Sequence, residues 1–420
     1  MDGMRSEAIS LPEVLDHDLG QYFAELRKFE STSELEESEI YRKIKPVVDK
    51  IFTSIIYEEF SEAADAANWS LLDTSGFPAN DKSNLSARVV AWNLERGAQL
   101  DGIIYAFKNN AFLQDRDIFL LSELDYGMAR SGNRFVAREI AKELGLNYAF
   151  APIYIALQKG SGLEAEIEGE NTNSIHGIAL MSRYHFKRLY SVALPNGKDK
   201  MSGKEKRLGH LRALIADIGH PAGDIRAVSV HLDAHCSREH RRLQMKLILD
   251  FIDRLPDMPT IIGGDWNTTT FNSQNSTRAI LGYWRRVFMG PFNVAKNHFP
   301  HPDKYFERPL FRMLVDRGFE YEPFNQLGVG TLHYDVKSIE KNKNLADWVP
   351  AWCFPFIYWA ANSVGGKVSG RLDWFAGRGV SLSPNSEPKT IQNLTDESGK
   401  PLSDHDPITV DIIPDKPVNS

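Results

Sequence analysis

The chain has 420 residues, 42% of them hydrophobic and 25% charged, which suits one large domain with additions or two average domains. A formal net charge of −7 argues against a protein that mainly coats duplex nucleic acid, because phosphate contacts draw on Lys and Arg. The two cysteines, Cys236 and Cys353, lie far apart without a CxxC spacing, which argues against both a zinc ribbon and a disulfide framework. The opening MDGMRSEAISLPEVLDHD has no apolar signal core, and no apolar run reaches the ~18 residues of a membrane span. A reducing cytoplasm is the expected location.

Residues 1–85 read as a helical extension and linker. Leu15, Leu19, Tyr22, Phe23 and Leu26 recur at helical spacing, and so do Ile40, Ile44, Val47, Val48, Ile51, Phe52 and Ile55. Ser33 followed by Glu36 fits a capping box opening the second helix. The polar stretch Thr74–Asn84 fits a linker. From Ser86 short β-rich runs appear: ARVVAWN, DIFLLSE, GIALMS, LRALIADI, IRAVSVHL, TIIGGDWN, RLDWFAG and PITVDII. NRFVAREIAKELG and EHRRLQMKLILDFIDRL are amphipathic helical stretches among them. Strands apolar along their whole length imply sheets covered on both faces, and several follow one another without a helix. The expected class is α/β (α+β): a four-layered α/β/β/α sandwich of two mixed sheets flanked by helices, with the N-terminal helical extension.

Polar residues gather where these strands end. Asn93 and Glu95 close the first, Glu123 the second, and His231 the run VSVHL. Asp265 and Asn267 close TIIGGDWN, Asp373 lies in RLDW, and Asp404, His405 and Asp406 precede PITVDII. Any one of these is an ordinary turn or cap residue. Carboxylate, amide and imidazole at five separate strand ends converge instead on one rim of a sheet, where α/β folds place their sites. Hard cations such as Mg²⁺ bind one or two carboxylates plus waters and substrate phosphate, so Glu123 and Asp404 form the natural pair, with Asn93 as a neutral oxygen nearby. Imidazoles beside carboxylates supply proton transfer. No HExxH, Cys cluster or GxxxxGK loop competes with this reading.

The ordered words WNLE, SELD, HGIALMSRY, VSVHLD, GGDWNT, RLDW and SDHDP resemble the endonuclease/exonuclease/phosphatase superfamily, from about Ala87 to Ile413. The resemblance implies Mg²⁺-assisted in-line attack of water on phosphorus, with Mn²⁺ as the substitute metal. It makes Glu123 the main metal ligand, with Asn93 and Asp404 beside it, and Asp265 the residue that orients or deprotonates the water. Asn267 and His231 hold phosphate oxygens, and His405 stands over the scissile phosphate with Asp373 as its carboxylate partner. The catalytic domain then spans 86–415, with an insertion at about 283–370 outside the shared core. Two departures stand out: Ile178 occupies a place where relatives commonly carry Asn, and Ser122 precedes Glu123 where Gln is frequent.

The substrate expected is a phosphate ester, small or lipid-linked, and the reaction that of a phosphodiesterase or phosphatase. A nuclease acting on DNA or RNA is the alternative. A catalytically inactive binding protein ranks last, because Glu123, Asp265, Asn267 and His405 are all present. His176, His235, His240, His298 and His301 read as surface or loop residues. The cluster Lys198, Lys200, Lys204, Lys206, Arg207 and Arg212 reads as a solvated loop, with a substrate-phosphate rim as the sharper alternative. The aromatic run Trp348, Trp352, Phe354, Phe356, Tyr358 and Trp359 reads as packing for the insertion.

Overall fold

The computed structural model describes residues 8–9, 12–62, 86–160, 162–203, 205–268, 276–335, 365–384 and 386–415, with 272, 355, 359, 362 and 363 as single positions. In chain order the first half holds β1 (Ala8–Ile9), α1 (Phe23–Leu26), α2 (Thr32–Glu37), α3 (Glu39–Thr53), β2 (Ile55–Glu58), β3 (Ala87–Asn93), α4 (Leu100–Asn109), β4 (Ile118–Tyr126), α5 (Val136–Leu144), β5 (Asn147–Ala156), β6 (Ile175–Ser182), β7 (Phe186–Leu194) and β8 (Arg207–Gly209). There follow β9 (Leu211–His220), β10 (Gly223–His231), α6 (Arg238–Ile252), β11 (Thr260–Asp265), α7 (Ser276–Phe288), α8 (Pro291–Asn293), α9 (Arg308–Asp316), β12 (Leu332–Asp335), β13 (Lys367–Gly370), β14 (Asp373–Arg378), β15 (Val380–Leu382), β16 (Lys389–Thr390) and β17 (Ile408–Pro414).

Two large mixed sheets result, as the fully apolar strands require. The first runs β1-β2-β5-β6-β4-β3-β17-β15, with β8 on β5 and β16 on β17; the second runs β14-β11-β10-β9-β7. Their facing sides share one core that includes Val89, Ala91, Leu120, Leu180, Ile215, Val230 and Ile261. Gly263 sits in that seam, where a Cβ would meet Phe375 at 2.6 Å and Leu120 at 2.7 Å. Met245, Ile248, Leu249 and Ile252 of α6, with Leu310, Phe311 and Leu314 of α9, join this cluster and cover the second sheet. The outer side of the first sheet, with Val90, Trp92, Phe119 and Phe150, packs on α3, α4 and α5 through Val48, Phe107 and Ile140. The four layers match the expected sandwich. No helix among the described residues is long and apolar enough to cross a membrane.

Local departures have local causes. The expected box at Ser33 and Glu36 is not the start of the second long helix. Ser31 caps α2 by accepting from Glu34 N–H, and Ser38 caps α3 by accepting from Tyr41 N–H. Ser31 and Ser38 hold the extended backbone that a cap needs. Ile55 does not extend the helix: α3 stops at Thr53, and buried Ile55 and Ile56 enter β2, where Ile56 pairs with Phe150 of β5. Sheet pairing of β-branched residues overrides the helical period there. The expected linker 74–84 and five members of the aromatic run, Trp348 through Tyr358, lie outside the described residues; Trp359 is exposed.

Candidate active site

Register brings the polar strand ends together. Parallel pairing places Asn93 at the end of β3 beside Ser122 of β4, one residue before Glu123. In the second sheet His231 of β10 pairs with Asp265 of β11, and Asp265 pairs with Asp373 of β14. The close approach of β10 and β11 depends on Gly264, whose φ is +131° and whose Cβ would fall 2.1 Å from Val230 O. β17 lies antiparallel to β3, so Asp404 and His405 at its entry return to the end of β3. Trp92 Nε1 donates to His405 O at 2.8 Å, and Ser403 Oγ donates to Asn93 O at 2.7 Å, tying that entry down.

All eight expected residues reach this rim. His405 Nδ1 lies 2.8 Å from Asp373 Oδ2, and its Nε2 lies 3.8 Å from Asp265 Oδ2. Burial opposes charge on the imidazole, but Asp373 and then Asp265 outweigh it and raise its pKa well above the ordinary histidine value. Burial, with a smaller contribution from Asp373, pushes the Asp265 carboxyl up to about 6, against His405 and His231. Asn267 N–H donates to Asp265 Oδ1 at 2.8 Å, and its Nδ2 donates to Leu232 O at 2.8 Å and Asp265 Oδ2 at 3.2 Å. His231 Nε2 stands 3.6 Å from Asp265 Oδ2 and 3.9 Å from Glu123 Oε1. Arg371, the other conceivable partner for Asp373, instead donates to Gln326 O, Val329 O and Asn325 Oδ1.

Glu123 sits in a bulge of β4 with φ +56°, which turns its carboxylate out of the ladder toward the rim. Burial alone would raise its pKa; Arg96, then His231 and His176, hold it well below the ordinary range, so Glu123 is charged. Asn93 presents nitrogen rather than oxygen to the carboxylates: its Nδ2 donates to Glu123 Oε1 and Asp265 Oδ2, both at 3.1 Å, while its Oδ1 accepts from Glu95 N–H. Exposed Asp404 donates its backbone N–H to Glu95 Oε2 at 2.9 Å. Burial, then repulsion from Asp404, pushes Glu95 up to about 7. Asp265, Asp373 and His405 bring one ligand atom each within 4.8 Å of one another, a group able to hold a metal ion.

Several neighbours escaped the sequence reading. His176 is no surface residue: it lies buried in β6, 2.7 Å from Asp125, and stacks on Tyr154 with centroids 4.4 Å apart. Asp125 also accepts from Arg130, and Arg130 reaches Glu164 at 2.9 Å. Glu164 binds Arg96 as well. The words SELD and HGIALMSRY contain Asp125 and His176, but alternation along a strand does not say which face holds the site. The solvated-loop expectation is also overturned for Lys200, Arg207 and Arg212, while Lys204 lies outside the described residues. Arg212 is fully buried, bonded to Ser54 O and Ser191, while Lys200 and Arg207 line a cleft of about 270 Å³ beside Glu123 and His231. His235 lines the same cleft, and burial pushes its pKa down to about 4. His240 Nε2 donates to Pro195 O at 2.9 Å, outside that lining.

Among solved structures, an endonuclease/exonuclease/phosphatase from Beutenbergia cavernae is 15% identical with a TM-score of 0.47, covering 79% of this chain and 72% of that one. The human Nocturnin catalytic domain with bound sulfate anion is 16% identical with a TM-score of 0.40, covering 78% and 94%. A humanized D. rerio TDP2 is 13% identical with a TM-score of 0.39, covering 78% and 98%. No curated protein matches the chain in sequence. The profile of the Endonuclease/Exonuclease/phosphatase family matches residues 76–405, most of the chain. The chain therefore belongs to the endonuclease/exonuclease/phosphatase family, whose members are divalent-metal-dependent phosphoester hydrolases.

Proposed function

We propose that the chain is a Mg²⁺-dependent phosphoester hydrolase of the phosphodiesterase or phosphatase type, with Mn²⁺ able to substitute. The observation that carries this reading is the buried Asp373–His405–Asp265 array, with His231 beside it. Asp265, titrating at about 6, is ionised at neutral pH and placed to take a proton from an attacking water. Asp373 keeps His405 charged, so its free Nε2–H donates to a phosphate oxygen as charge develops. His231 serves a second phosphate oxygen. Asn267 spends its amide on Leu232 O and Asp265 and so fixes the base rather than the phosphate.

The donor set around Glu123 suits a hard cation. Glu123 is ionised, and Glu95 and Asp404 crowd negative charge beside it, which a divalent ion relieves. Asp265, Asp373 and His405 suit it less, because His405 Nδ1 already carries the hydrogen shared with Asp373 and the ring is protonated. Glu123, with Asp404 and Glu95, is therefore the set that would hold the metal, and Asn93 orients Glu123. When bound, the ion polarises the phosphoryl oxygen and neutralises charge.

The test is hydrolysis of oligonucleotides, phospholipids and inositol phosphates by the purified chain across a Mg²⁺ titration, repeated with Glu123→Gln. The expected result is turnover that requires the metal and falls together with metal affinity in the variant. Metal-independent turnover, or a variant with unchanged Mg²⁺ dependence, would refute this assignment.

A further inference from the structure

The cleft of about 270 Å³ has one end at the reaction centre, where Glu123 and His231 line it, and a wall that catalysis does not use, formed by Lys200 and Arg207. A backbone bond from Arg207 N–H to Lys200 O at 3.1 Å closes the loop between them and sets the two cations side by side. The acids of this wall each have a partner, with Glu205 Oε1 the least engaged, 3.9 Å from Arg130. Glu164 holds Arg96 and Arg130, and Glu205 holds Arg207. Asp233 accepts backbone N–H bonds from Gly197 at 2.7 Å and His235 at 2.9 Å. The Lys200 side chain is only 18% exposed, yet the sole carboxylate in salt-bridge reach among the described residues is Asp233, at 3.7 Å. At that length the contact is an ion pair rather than a close hydrogen bond, and Lys200, which lines the cleft, keeps donors for a further anion there. The Arg207 guanidinium stands over the Tyr154 ring, 4.2 Å from its centroid, and its Nε has no hydrogen-bond partner among the described residues. Burial depresses the Lys200 ammonium, a cost that a bound anion offsets.

We propose that Lys200 and Arg207 form a subsite for a second phosphate of the substrate, so that the chain acts on compact phosphoesters carrying a phosphate besides the scissile one. This rests on the hydrolase reading above. The cleft volume suits a compact substituent, since it falls below the roughly 300–1,000 Å³ of pockets that take drug-sized ligands. The subsite is also held in advance. Thr32 N–H and Oγ1 both donate to Asp199, and Lys206 Nζ donates to Arg27 O at 2.9 Å and Phe29 O at 2.7 Å. Met201, in the same loop, is fully buried against the cluster containing Leu15, Leu19 and Leu26. A loop fixed on both sides loses less freedom when an anion binds.

The experiment compares two chromogenic diesters with one leaving group: thymidine 5′-(4-nitrophenyl phosphate) and the same compound with a 3′-phosphate. The protein should prefer the second in kcat/KM by roughly ten- to a hundred-fold, the range of a charge-assisted hydrogen bond. Lys200→Ala should collapse that ratio toward one, and Lys200→Gln serves if the alanine variant fails to fold. A wild-type ratio near one, or a ratio unchanged in the variant, overturns the subsite. If neither diester is hydrolysed with Mg²⁺ or Mn²⁺, the phosphodiesterase form of the hydrolase reading fails instead. Calorimetric binding of thymidine 3′,5′-bisphosphate then decides the subsite: about tenfold weaker binding by Lys200→Ala supports it, and equal affinity overturns it.

Discussion

Asp373→Asn is the sharpest perturbation of this site, because it removes a charge while keeping the shape. Asp373 Oδ2 lies 2.8 Å from His405 Nδ1, and Oδ1 has no hydrogen-bond partner among the described residues, so the imidazole is the carboxylate's one hydrogen-bonded side chain there. At an effective dielectric of about 20, a unit pair at 2.8 Å is worth roughly 6 kcal/mol, an upper bound before burial of both groups is counted. A positioned acid or base contributes about 10²–10⁴ in rate, or about 3–5 kcal/mol, which falls within that bound. Asp373→Asn and His405→Ala should each slow turnover by that factor, and the double variant by little more, since coupled residues are not additive. The assay is a double-mutant cycle on kcat, with thermal melts to show that each variant folds. A pH profile adds a second reading. Losing Asp373 lowers the His405 pKa, so the alkaline limb, where the imidazolium is lost, should move to lower pH in Asp373→Asn. Fully additive losses, a near-normal single variant or an unmoved alkaline limb would refute the pairing.

The acid limb tests Asp265: its carboxyl titrates at about 6, so kcat should fall about tenfold per pH unit below that value as the base protonates. Asp125→Asn removes the charge that holds buried Arg130 and His176, and urea denaturation should report a loss of about 3–5 kcal/mol, the cost of breaking a buried pair. Cooperative unfolding at the wild-type midpoint would place Asp125 outside the stabilising network. Thr32→Val removes the hydroxyl bond to Asp199, leaving the backbone N–H bond, and so loosens the loop that carries Lys200; KM for the doubly phosphorylated diester should rise several-fold while kcat holds, and an unchanged KM would detach the N-terminal helices from substrate binding.

The sandwich was legible because two kinds of periodicity survive in one chain. Runs such as IFLLSE and TIIGGD carry apolar residues at successive positions, which only a strand covered on both faces tolerates, while α6 keeps its polar and apolar sides apart. The helical reading failed at Ile55, where the apolar spacing continued but the partner changed from a helix face to the edge of β5. Periodicity reports which side is buried and not what buries it. The rim was legible for a related reason. Asn93, His231, Asp265 and Asp373 sit at strand termini and His405 just before β17, so a sequence that shows where strands end also shows where these residues meet; Glu123, expected to close its strand, instead lies inside β4 and reaches the rim through a bulge.

Lys200, Arg207 and His176 were not legible because their environment is made by contacts distant in sequence. Nothing near Lys200 marks it as buried; its burial follows from Asp199 being held by Thr32, 167 positions away, and from Met201 packing against the N-terminal helices. Those helices precede residue 76, where the family match begins. The distinction has a physical basis. Groups that act on phosphorus must meet at tight distances, so they sit on paired strands whose register fixes them, as His231, Asp265 and Asp373 do. Groups that recognise the rest of a substrate need only present charge in a cleft, and a loop braced by an added segment can do that without altering the sheet. A change in the N-terminal helices can therefore retune which phosphoester fits while the bond-breaking array stays as it is.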